Sequence, residues 1–340
     1  WRAGEKYNRR VFQGHCVTLR QRTPFMQAVS SRATYEAADH FYRAVKNFFT
    51  SCSGERSGRK MKPPTFKKKG RSTTKVNFSH CKQFSIDGRK LKISGLKEEI
   101  RMRENIRFKG QVKALSIKLV AGKWFASFLV ELAKTRLAKT TSEQKPSVGV
   151  DLGIKALAVL STGELIPNPK PLRKKLRLLK RRQRQVSSKF VKGRKQSRRY
   201  QIAVARVSRL HKKVADQRAA AQHQFTSDLV KRFDRIVIED LNVSGMLKNR
   251  KLSRAISDAG WGSLRQQLTY KSKAAGVELV VADRWFASSK TCSCCGHKLD
   301  ELSLRVRTFV CPQCGFTKDR DVNAAINLNN YQEPSPPITG

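Results

Sequence analysis

Acidic residues are scarce in this chain of 340 residues, which has 25 Asp and Glu against 72 Lys and Arg. The resulting formal net charge of +47 is far more than solubility requires. So much charge of one sign destabilises a compact fold by repulsion between like charges. A polyanion relieves that repulsion, and nucleic acid is the most common polyanion. The charge balance therefore indicates a protein that binds nucleic acid.

Long apolar runs are lacking as well. No run approaches the roughly 18 apolar residues of a membrane-spanning helix, and no basic segment followed by an apolar one opens the chain as a signal peptide would. A spread disulfide pattern is also absent, since five of the eight cysteines lie in the last quarter of the chain. We therefore expect a cytoplasmic protein that has no membrane partner.

Four of those cysteines have metal-ligand spacing. Two C-x2-C pairs, separated by fifteen residues, are formed by Cys292, Cys295, Cys311 and Cys314. This spacing is typical of a structural zinc site with four thiolates. Cys294 lies inside the first pair, so "CSCC" permits another choice of ligand, although Cys295 keeps the two-residue gap of the second pair. The sequence predicts one structural Zn²⁺.

Periodicity divides the chain into three regions. Residues from about 30 to 49 repeat apolar side chains at helical spacing, which predicts an amphipathic helix. The middle region, to about residue 135, alternates apolar residues around the turn dipeptides Asp87-Gly88 and Ala121-Gly122. This pattern predicts the hairpins of a small β-barrel or sandwich. A charged linker through Pro146 separates it from the rest.

The third region has α/β character. Three short strand segments between Val148 and Ile166 predict an antiparallel meander, and two helices with apolar stripes follow it. The apolar segments "RIVIEDLNV" and "VELVVA" predict buried strands, and the helix between them has Ser263 as its expected cap and Gly276 as its stop. The order β, β, β, α, β, α, β is the order of elements in ribonuclease H-like domains.

The few acids of this region stand at unusual positions. Asp151, Glu239 and Asp240 lie in apolar strands, and Asp319 and Asp321 lie at the start of a helix. Any one alone is explained by a nearby Lys or Arg, or by a helix cap. Taken together, three acids on two strands and a following helix would converge on one sheet edge, where they could hold two Mg²⁺ ions about 3.5 to 4 Å apart. That chemistry is phosphodiester hydrolysis.

Four segments carry a family resemblance. They are "GVDLGIKALAVLSTGE", "RIVIEDLNVSGM", "RWFASSKTCSCCGHK" and "CPQCGFTKDRDVNAAINL". In order and spacing they resemble the motifs of TnpB, the transposon-encoded relative of type V CRISPR effectors, and the likeness extends from about residue 28 to 330. The family's catalytic, Mg²⁺-binding acids fall on Asp151, Glu239 and Asp321. Asp240 and Asp319 sit beside motif positions and are not carried over.

The resemblance implies an RNA-guided DNA endonuclease of prokaryotes, associated with the nucleoid. Its partners would be a guide RNA and target double-stranded DNA, which it would cut beside a short flanking motif by two-metal hydrolysis. Two alternatives stay open. An RNA-independent nuclease or transposase would use the same three acids, whereas a nuclease-inactive DNA-binding repressor is disfavoured by the presence of all three. The sequence predicts no oligomeric state.

The resemblance also implies a multidomain α/β plus β fold, in which an RNase H-like (RuvC-type) nuclease domain with an inserted zinc ribbon follows a β-barrel-like wedge domain and a helical recognition segment. The implied segments are a helical recognition-lobe segment (1–55), the wedge domain and linker (56–145), the first part of the nuclease domain (146–290), the zinc ribbon (291–316), the final nuclease helix (317–330) and a disordered tail (331–340). Family members usually open with a strand and helix that complete the wedge, and we expect this chain to begin after them.

Overall fold

The computed structural model divides into two compact units, Trp1–Ala133 and Lys134–Gly340. The residues that it describes are 8–27, 30–65, 74–132, 145–303 and 305–332. Most of the expected linker and of the expected disordered tail lies outside these residues, so both stay predictions. Within the described residues, every helix is too short or too polar to cross a lipid bilayer.

The first unit begins with helices and continues with strands. Its elements are α1 (Arg9–Arg22), α2 (Pro24–Gln27), α3 (Ser31–Cys52), β1 (Lys75–Phe78), β2 (Phe84–Asp87), β3 (Lys90–Ile93), β4 (Ile100–Arg101), β5 (Gln111–Val120) and β6 (Lys123–Glu131). Helix α3 confirms the predicted amphipathic helix. Helix α1, which the sequence pattern did not predict, packs on it through an edge-on contact of Phe12 with Phe41 and an ion pair of Arg9 with Asp39.

The strands of this unit form two three-stranded sheets, β1-β5-β6 and β2-β3-β4. They share one hydrophobic cluster, whose buried members are Phe78, Leu91, Ile93 and Leu115. Both predicted turns are hairpins: Asp87 pairs with Lys90 around Gly88, and Ala121 and Gly122, both with positive φ, join β5 to β6. The described strands are thus two sheets around a common core, and not one continuous sheet.

The second unit alternates strands and helices. Its elements are β7 (Ser147–Leu152), β8 (Ala156–Leu160), β9 (Leu165–Pro167), α4 (Pro171–Ser187), α5 (Arg198–Arg232), β10 (Arg235–Glu239), α6 (Val243–Met246), α7 (Ser253–Ala259), α8 (Trp261–Ala275), β11 (Glu278–Ala282), β12 (Thr308–Val310), β13 (Thr317–Asp319) and α9 (Arg320–Asn329). Five strands form a mixed sheet in the order β11-β10-β7-β8-β9. Strands β7, β8 and β9 are the predicted antiparallel meander, whereas β10 runs parallel to β7 and β11.

Both faces of this sheet are covered, which explains why the interior residues of its central strands are apolar on both faces. On one face, side chains of β7 and β10 pack against α5 and α8 in a cluster that includes Val150, Ile238, Leu229 and Leu268. On the other face, a second cluster includes Val237 and Val280 of the sheet and Leu328 of α9. The sheet therefore provides a rigid edge from which polar side chains can project.

Helix α9 crosses strand β7 at Gly149. A Cβ atom added to Gly149 would lie 2.0 Å from the carbonyl oxygen of Ala325 and 2.4 Å from the backbone nitrogen of Asn329. No side chain fits such a gap, so glycine is required for the backbones to approach this closely. This approach holds the second half of α9 against the strand that carries Asp151.

Helix α8 begins earlier than the sequence predicted. It starts at Trp261, and Gly260, with φ +69°, both ends α7 and precedes α8, so Ser263 is not the cap. A Cβ atom at Gly260 would meet the side chains of Gln222 and Arg218 at 2.8 and 2.9 Å, and this packing requires the glycine turn there. The predicted stop is confirmed, because Gly276 ends the helix with φ +69°.

Candidate active site and metal centre

Two carboxylates meet where the parallel strands β7 and β10 end. Ile238 pairs with Val150 in the strand register, which makes Asp151 and Glu239 neighbours one residue further along. Their side chains are half-buried and lie within hydrogen-bonding reach of each other. The sheet therefore brings together two of the acids that the sequence singled out.

The third acid comes from the first turn of α9. The charge of Asp321 acts on both Asp151 and Glu239. Asp319 has a different position, because its Oδ1 accepts hydrogen bonds from the backbone N–H groups of Asp321 and Val322 at 2.9 and 3.2 Å. Asp319 thus caps the helix. Asp321 adds negative charge near the strand carboxylates and also lies 4.0 Å from Nη1 of Arg307. We call Asp151, Glu239 and Asp321 the carboxylate edge.

Burial raises the pKa of Asp151 well above its usual range, and the charges of Glu239 and Asp321 raise it further. Burial also raises the pKa of Glu239, and a hydrogen bond from Ser288 Oγ at 3.0 Å opposes this. Crowded carboxylates of this kind favour either a retained proton or a bound cation. The donors are all carboxylate oxygens, which is the ligand type that Mg²⁺ prefers, so the residues present fit that ion.

Asp240 follows Glu239 directly but is neutralised in another way. It forms ion pairs with Arg265 of α8 and with Arg284, which follows β11. The hydrogen bond from Arg265 holds the pKa of Asp240 below its usual range, with a further contribution from Arg284. This carboxylate is therefore satisfied by protein cations and does not join the carboxylate edge.

The cysteine pairs form a compact sulfur cluster. The Sγ atoms of Cys292, Cys295, Cys311 and Cys314 all lie within 4.8 Å of one another. The Cys292–Cys314 distance is 3.7 Å and the Cys295–Cys311 distance is 3.5 Å. Tetrahedral zinc with Zn–S bonds near 2.3 Å separates its sulfurs by about 3.8 Å, so this cluster could bind a zinc ion. Cys294 is exposed and lies outside the cluster, which resolves the choice that "CSCC" left open.

The two cysteine turns have the same backbone geometry. Gly296 donates its N–H to the Cys292 carbonyl and Gly315 donates to the Cys311 carbonyl, each at 3.0 Å, and both glycines have positive φ. Burial raises the pKa of the Cys311 thiol, but N–H groups of Cys314 and Gln313 that donate to its sulfur outweigh burial and lower the pKa to about 6. Cys314 behaves in the opposite way: although the backbone N–H of Phe316 lowers its pKa, hydrogen bonds with the other cluster thiols raise it to about 12. Without a metal, therefore, only part of the cluster favours the thiolate, the form that binds zinc.

Two asparagines of α9 connect the cysteine turns to the carboxylate edge. Asn323 is fully buried; it accepts from the Ser293 N–H at 3.0 Å and donates to the Thr291 carbonyl at 2.7 Å. Asn327, one turn later, donates to the carbonyls of Thr291 and Ser288 at 2.6 and 2.8 Å. Sequence reasoning missed both, although two polar residues on the apolar face of "VNAAINL" were a usable signal. Ser288 in turn binds Glu239, so one hydrogen-bonded assembly spans both centres.

Two family models match separate parts of this chain. A family model described as a probable transposase, OrfB_IS605, matches residues 127–250. A second model, described as the TNB domain of Cas12f1-like proteins, matches residues 261–328, which include the sulfur cluster and Asp321. Among solved structures, a CRISPR-Cas12f ternary complex aligns over 96% of this chain and 80% of that chain, with a TM-score of 0.44 and 14% identity.

Whole-chain relatives identify the family. A protein of Streptomyces pristinaespiralis is 38% identical over 310 residues, covering 89% of this chain and 72% of that protein. A protein of Mycobacterium tuberculosis is 36% identical over 324 residues, covering 89% and 69%. The names of both describe RNA-guided DNA endonucleases. A TnpB-like protein of Acanthamoeba polyphaga mimivirus is 31% identical over 124 residues, covering 35% and 23%. The chain belongs to the TnpB family.

Proposed function

We propose that this protein is an RNA-guided DNA endonuclease whose cutting site is the carboxylate edge. One observation carries the proposal: in a chain of net charge +47, the carboxylates of Asp151 and Glu239 meet at a sheet edge, and Asp321 of α9 adds a third negative charge to them. Such an arrangement costs free energy unless cations are bound there. The names of the relatives support the choice of DNA as substrate and of RNA as guide.

In the proposed mechanism, Asp151, Glu239 and Asp321 hold two Mg²⁺ ions. When bound, such ions supply an activated water and stabilise the leaving oxygen of the phosphodiester. Ser288 orients Glu239 through its hydrogen bond to Oε1. Helix α9, anchored by the hydrogen bonds of Asn323 and Asn327, would hold Asp321 near the strand acids. From the order of strands and helices in the second unit, we infer an RNase H-like, RuvC-type domain.

The proposed role of the sulfur cluster is structural. Zinc bound by Cys292, Cys295, Cys311 and Cys314 would fix the segment that precedes α9, and the hydrogen bonds of Asn323 and Asn327 would transmit that rigidity to the helix. We retain the domain assignment of the sequence, with a recognition-lobe segment, a wedge domain and a zinc ribbon inserted before the last nuclease helix, as part of this proposal.

The surface chemistry supports a polyanionic substrate. Helix α4 carries eight Lys and Arg among its 17 residues, and only Pro171 and Leu179 are buried. Such a face binds phosphate backbones without reading bases, which suits a nuclease whose sequence choice is delegated to base pairing. The protein itself would then need to recognise only a short flanking motif in the duplex.

Cleavage with and without guide tests the proposal. RNA that copurifies with the chain is sequenced, and the loaded protein is given duplex DNA with Mg²⁺ at physiological salt. We expect cutting only where the duplex matches the RNA beside a flanking motif, with mismatches near that motif suppressing cutting most. Ribonuclease treatment should abolish it. Sequence-selective cutting by RNA-free protein would overturn the guided mechanism.

An RNA-independent transposase or nuclease is the second candidate. The description of the matching family model as a probable transposase favours it, and the same three acids would serve. The cleavage experiment separates the two candidates, because only the guided enzyme loses activity with its RNA.

A further inference from the structure

Trp285 is unusually exposed for its residue type. It lies in the loop of residues 283–290, here called the tryptophan loop, between β11 and the first cysteine turn, and 85% of its surface is accessible. Exposure of a large aromatic ring to water is unfavourable, so a ring displayed in this way indicates a binding surface. The mechanism proposed above does not use it.

The backbone beneath this ring is well ordered. The N–H of Trp285 donates to Asp283 Oδ1 at 2.7 Å, and the N–H of Phe286 donates to the Asp283 carbonyl at 3.0 Å. Phe286 packs edge-on against Tyr331 with 4.9 Å between ring centroids, and the Tyr331 hydroxyl accepts from the Asp283 N–H. The loop thus fixes the backbone of Trp285 without covering its ring, so little backbone freedom would be lost on binding.

Residues on both sides of Trp285 in the tryptophan loop contact acids at the end of β10. Before the ring, Arg284 pairs with Asp240, and after it, Ser288 donates to Glu239. Ala282, the last residue of β11, is in register with Glu239. Trp285 lies three positions after Ala282, so their Cα atoms lie at most about 11 Å apart. The loop that displays the ring is therefore anchored to the strand ends that carry Glu239 and Asp240.

We propose that Trp285 is a stacking platform for a base of single-stranded nucleic acid, a few nucleotides from the phosphate held at the carboxylate edge. Aromatic rings stack on any base, and the chain's net charge of +47 attracts a phosphate backbone, which together favour a single strand over a peptide or a lipid. This inference deepens the proposed nuclease function and rests on it for the nature of the substrate. The platform would align a strand for cutting without selecting its sequence.

Binding of two oligomers tests the platform. The full chain, in magnesium-free buffer at physiological salt, is titrated with a short oligothymidylate and with an abasic oligomer of the same length. Trp285→Ala should weaken oligothymidylate binding roughly tenfold, leave the abasic oligomer unaffected and preserve the salt dependence, since stacking involves no phosphate charge. Trp285→Phe should restore most of the affinity. Trp124→Ala removes another exposed tryptophan, 60% accessible, and should leave both affinities unchanged.

Crosslinking locates the contact even if the basic surface binds oligomers elsewhere. An oligomer that contains 5-iodouracil is irradiated on the wild-type chain, and trypsin, which cuts after Arg284 and Lys290, releases residues 285–290 as one peptide. We expect the crosslink on that peptide. Crosslinks found only elsewhere, or equal losses for the two oligomers with Trp285→Ala, would overturn the proposal. Neither experiment uses cleavage or guide RNA, so failure of guided cutting and failure of the platform are distinguishable.

Discussion

The carboxylate edge and the sulfur cluster both gather groups that repel one another when charged, yet different forces hold them together. Asp151 and Glu239 each follow a fully buried residue, Val150 and Ile238, in strands that belong to the large core of the second unit. The sulfur cluster has a small core around Phe309, to which three partly buried apolar side chains contribute. The two strand acids of the first site therefore rest on a large hydrophobic core, whereas the second site has only a small one.

Because of this difference, we expect metal loss to have different consequences at the carboxylate edge and at the sulfur cluster. Where a hydrophobic core positions the ligands, removing the ion should leave the fold intact and stop only the chemistry. Where so few apolar residues are buried, ion binding supplies the folding free energy, which for structural zinc reaches about 10–16 kcal/mol. We therefore expect Mg²⁺ to determine activity and Zn²⁺ to determine local structure.

The largest effect is expected at the carboxylate edge. Asp151→Ala should lower the cleavage rate by a factor of about a thousand or more, because it removes a proposed ligand of the metal ions that stabilise the transition state. Zinc content should be preserved. DNA affinity should be unchanged or slightly higher, because a charge that repels phosphate is lost. Single-turnover cleavage, metal analysis and DNA titration measure the three quantities.

Asp319→Ala is the matched control for this prediction. It removes a helix cap and should cost about 1 kcal/mol of stability while most cleavage activity remains. An inactive Asp319→Ala protein alongside an active Asp321→Ala protein would show that the roles of the two aspartates are reversed.

Zinc removal should produce the next largest change. Cys311→Ser should release the ion and unfold the segment around residues 291–316, seen as rapid amide hydrogen exchange there, while the five-stranded sheet stays protected. Cys294→Ser, a substitution between two ligands at an exposed position, should change neither zinc content nor exchange. Stoichiometric zinc in a variant without all four cluster cysteines would refute the assignment.

Substitution at the crossing of α9 and β7 should have an intermediate effect. Gly149→Ala places a methyl group 2.0 Å from the Ala325 carbonyl, so α9 must move away and carry Asp321 with it. We expect a loss of about 2–3 kcal/mol in the free energy of unfolding, measured by denaturant titration, together with slower cleavage. Gly262→Ala, in α8 where the added methyl meets open space, should instead be neutral or stabilising. Equal stability losses in the two variants would exclude the close crossing as the cause.

Local patterns were sufficient to predict much of this structure. Strand alternation and the turn dipeptide Asp87-Gly88 depend on neighbouring residues, and both hairpins are confirmed. The strand positions of Asp151 and Glu239 follow from the apolar residues around them, and the structure brings these two acids together as expected. The catalytic roles of the three acids stay predictions.

Features that depend on distant partners were not predictable in this way. Asp240 is neutralised by Arg265 and Arg284, which lie 25 and 44 residues further along the chain. Residue type and spacing do not distinguish Asp319 from Asp321; the family resemblance selected Asp321, and the structure shows that Asp319 caps the helix. Helix α1 was missed because its apolar residues are sparse and are covered only by packing on α3.

The smallest predicted effect concerns pH. Because the folded-state pKa values of Asp151 and Glu239 are raised, the folded protein binds more protons than the unfolded chain above about pH 4, where unfolded carboxyls titrate. The stability of zinc-loaded, magnesium-free protein should therefore fall as pH rises from there through the raised pKa values. Each tenfold difference in proton affinity between the folded and unfolded chains corresponds to about 1.4 kcal/mol of that fall. Asp240, whose pKa is lowered, acts in the opposite direction and only below about pH 4, so the two windows are separate.

Asp151→Asn should flatten the decline, raise the melting temperature near neutral pH by about 2–4 °C and abolish stabilisation by added Mg²⁺, as followed by calorimetry. Asp300→Asn, an exposed charge removal, should do none of these. A decline unchanged by Asp151→Asn would mean that the carboxylate edge is not the source of the repulsion.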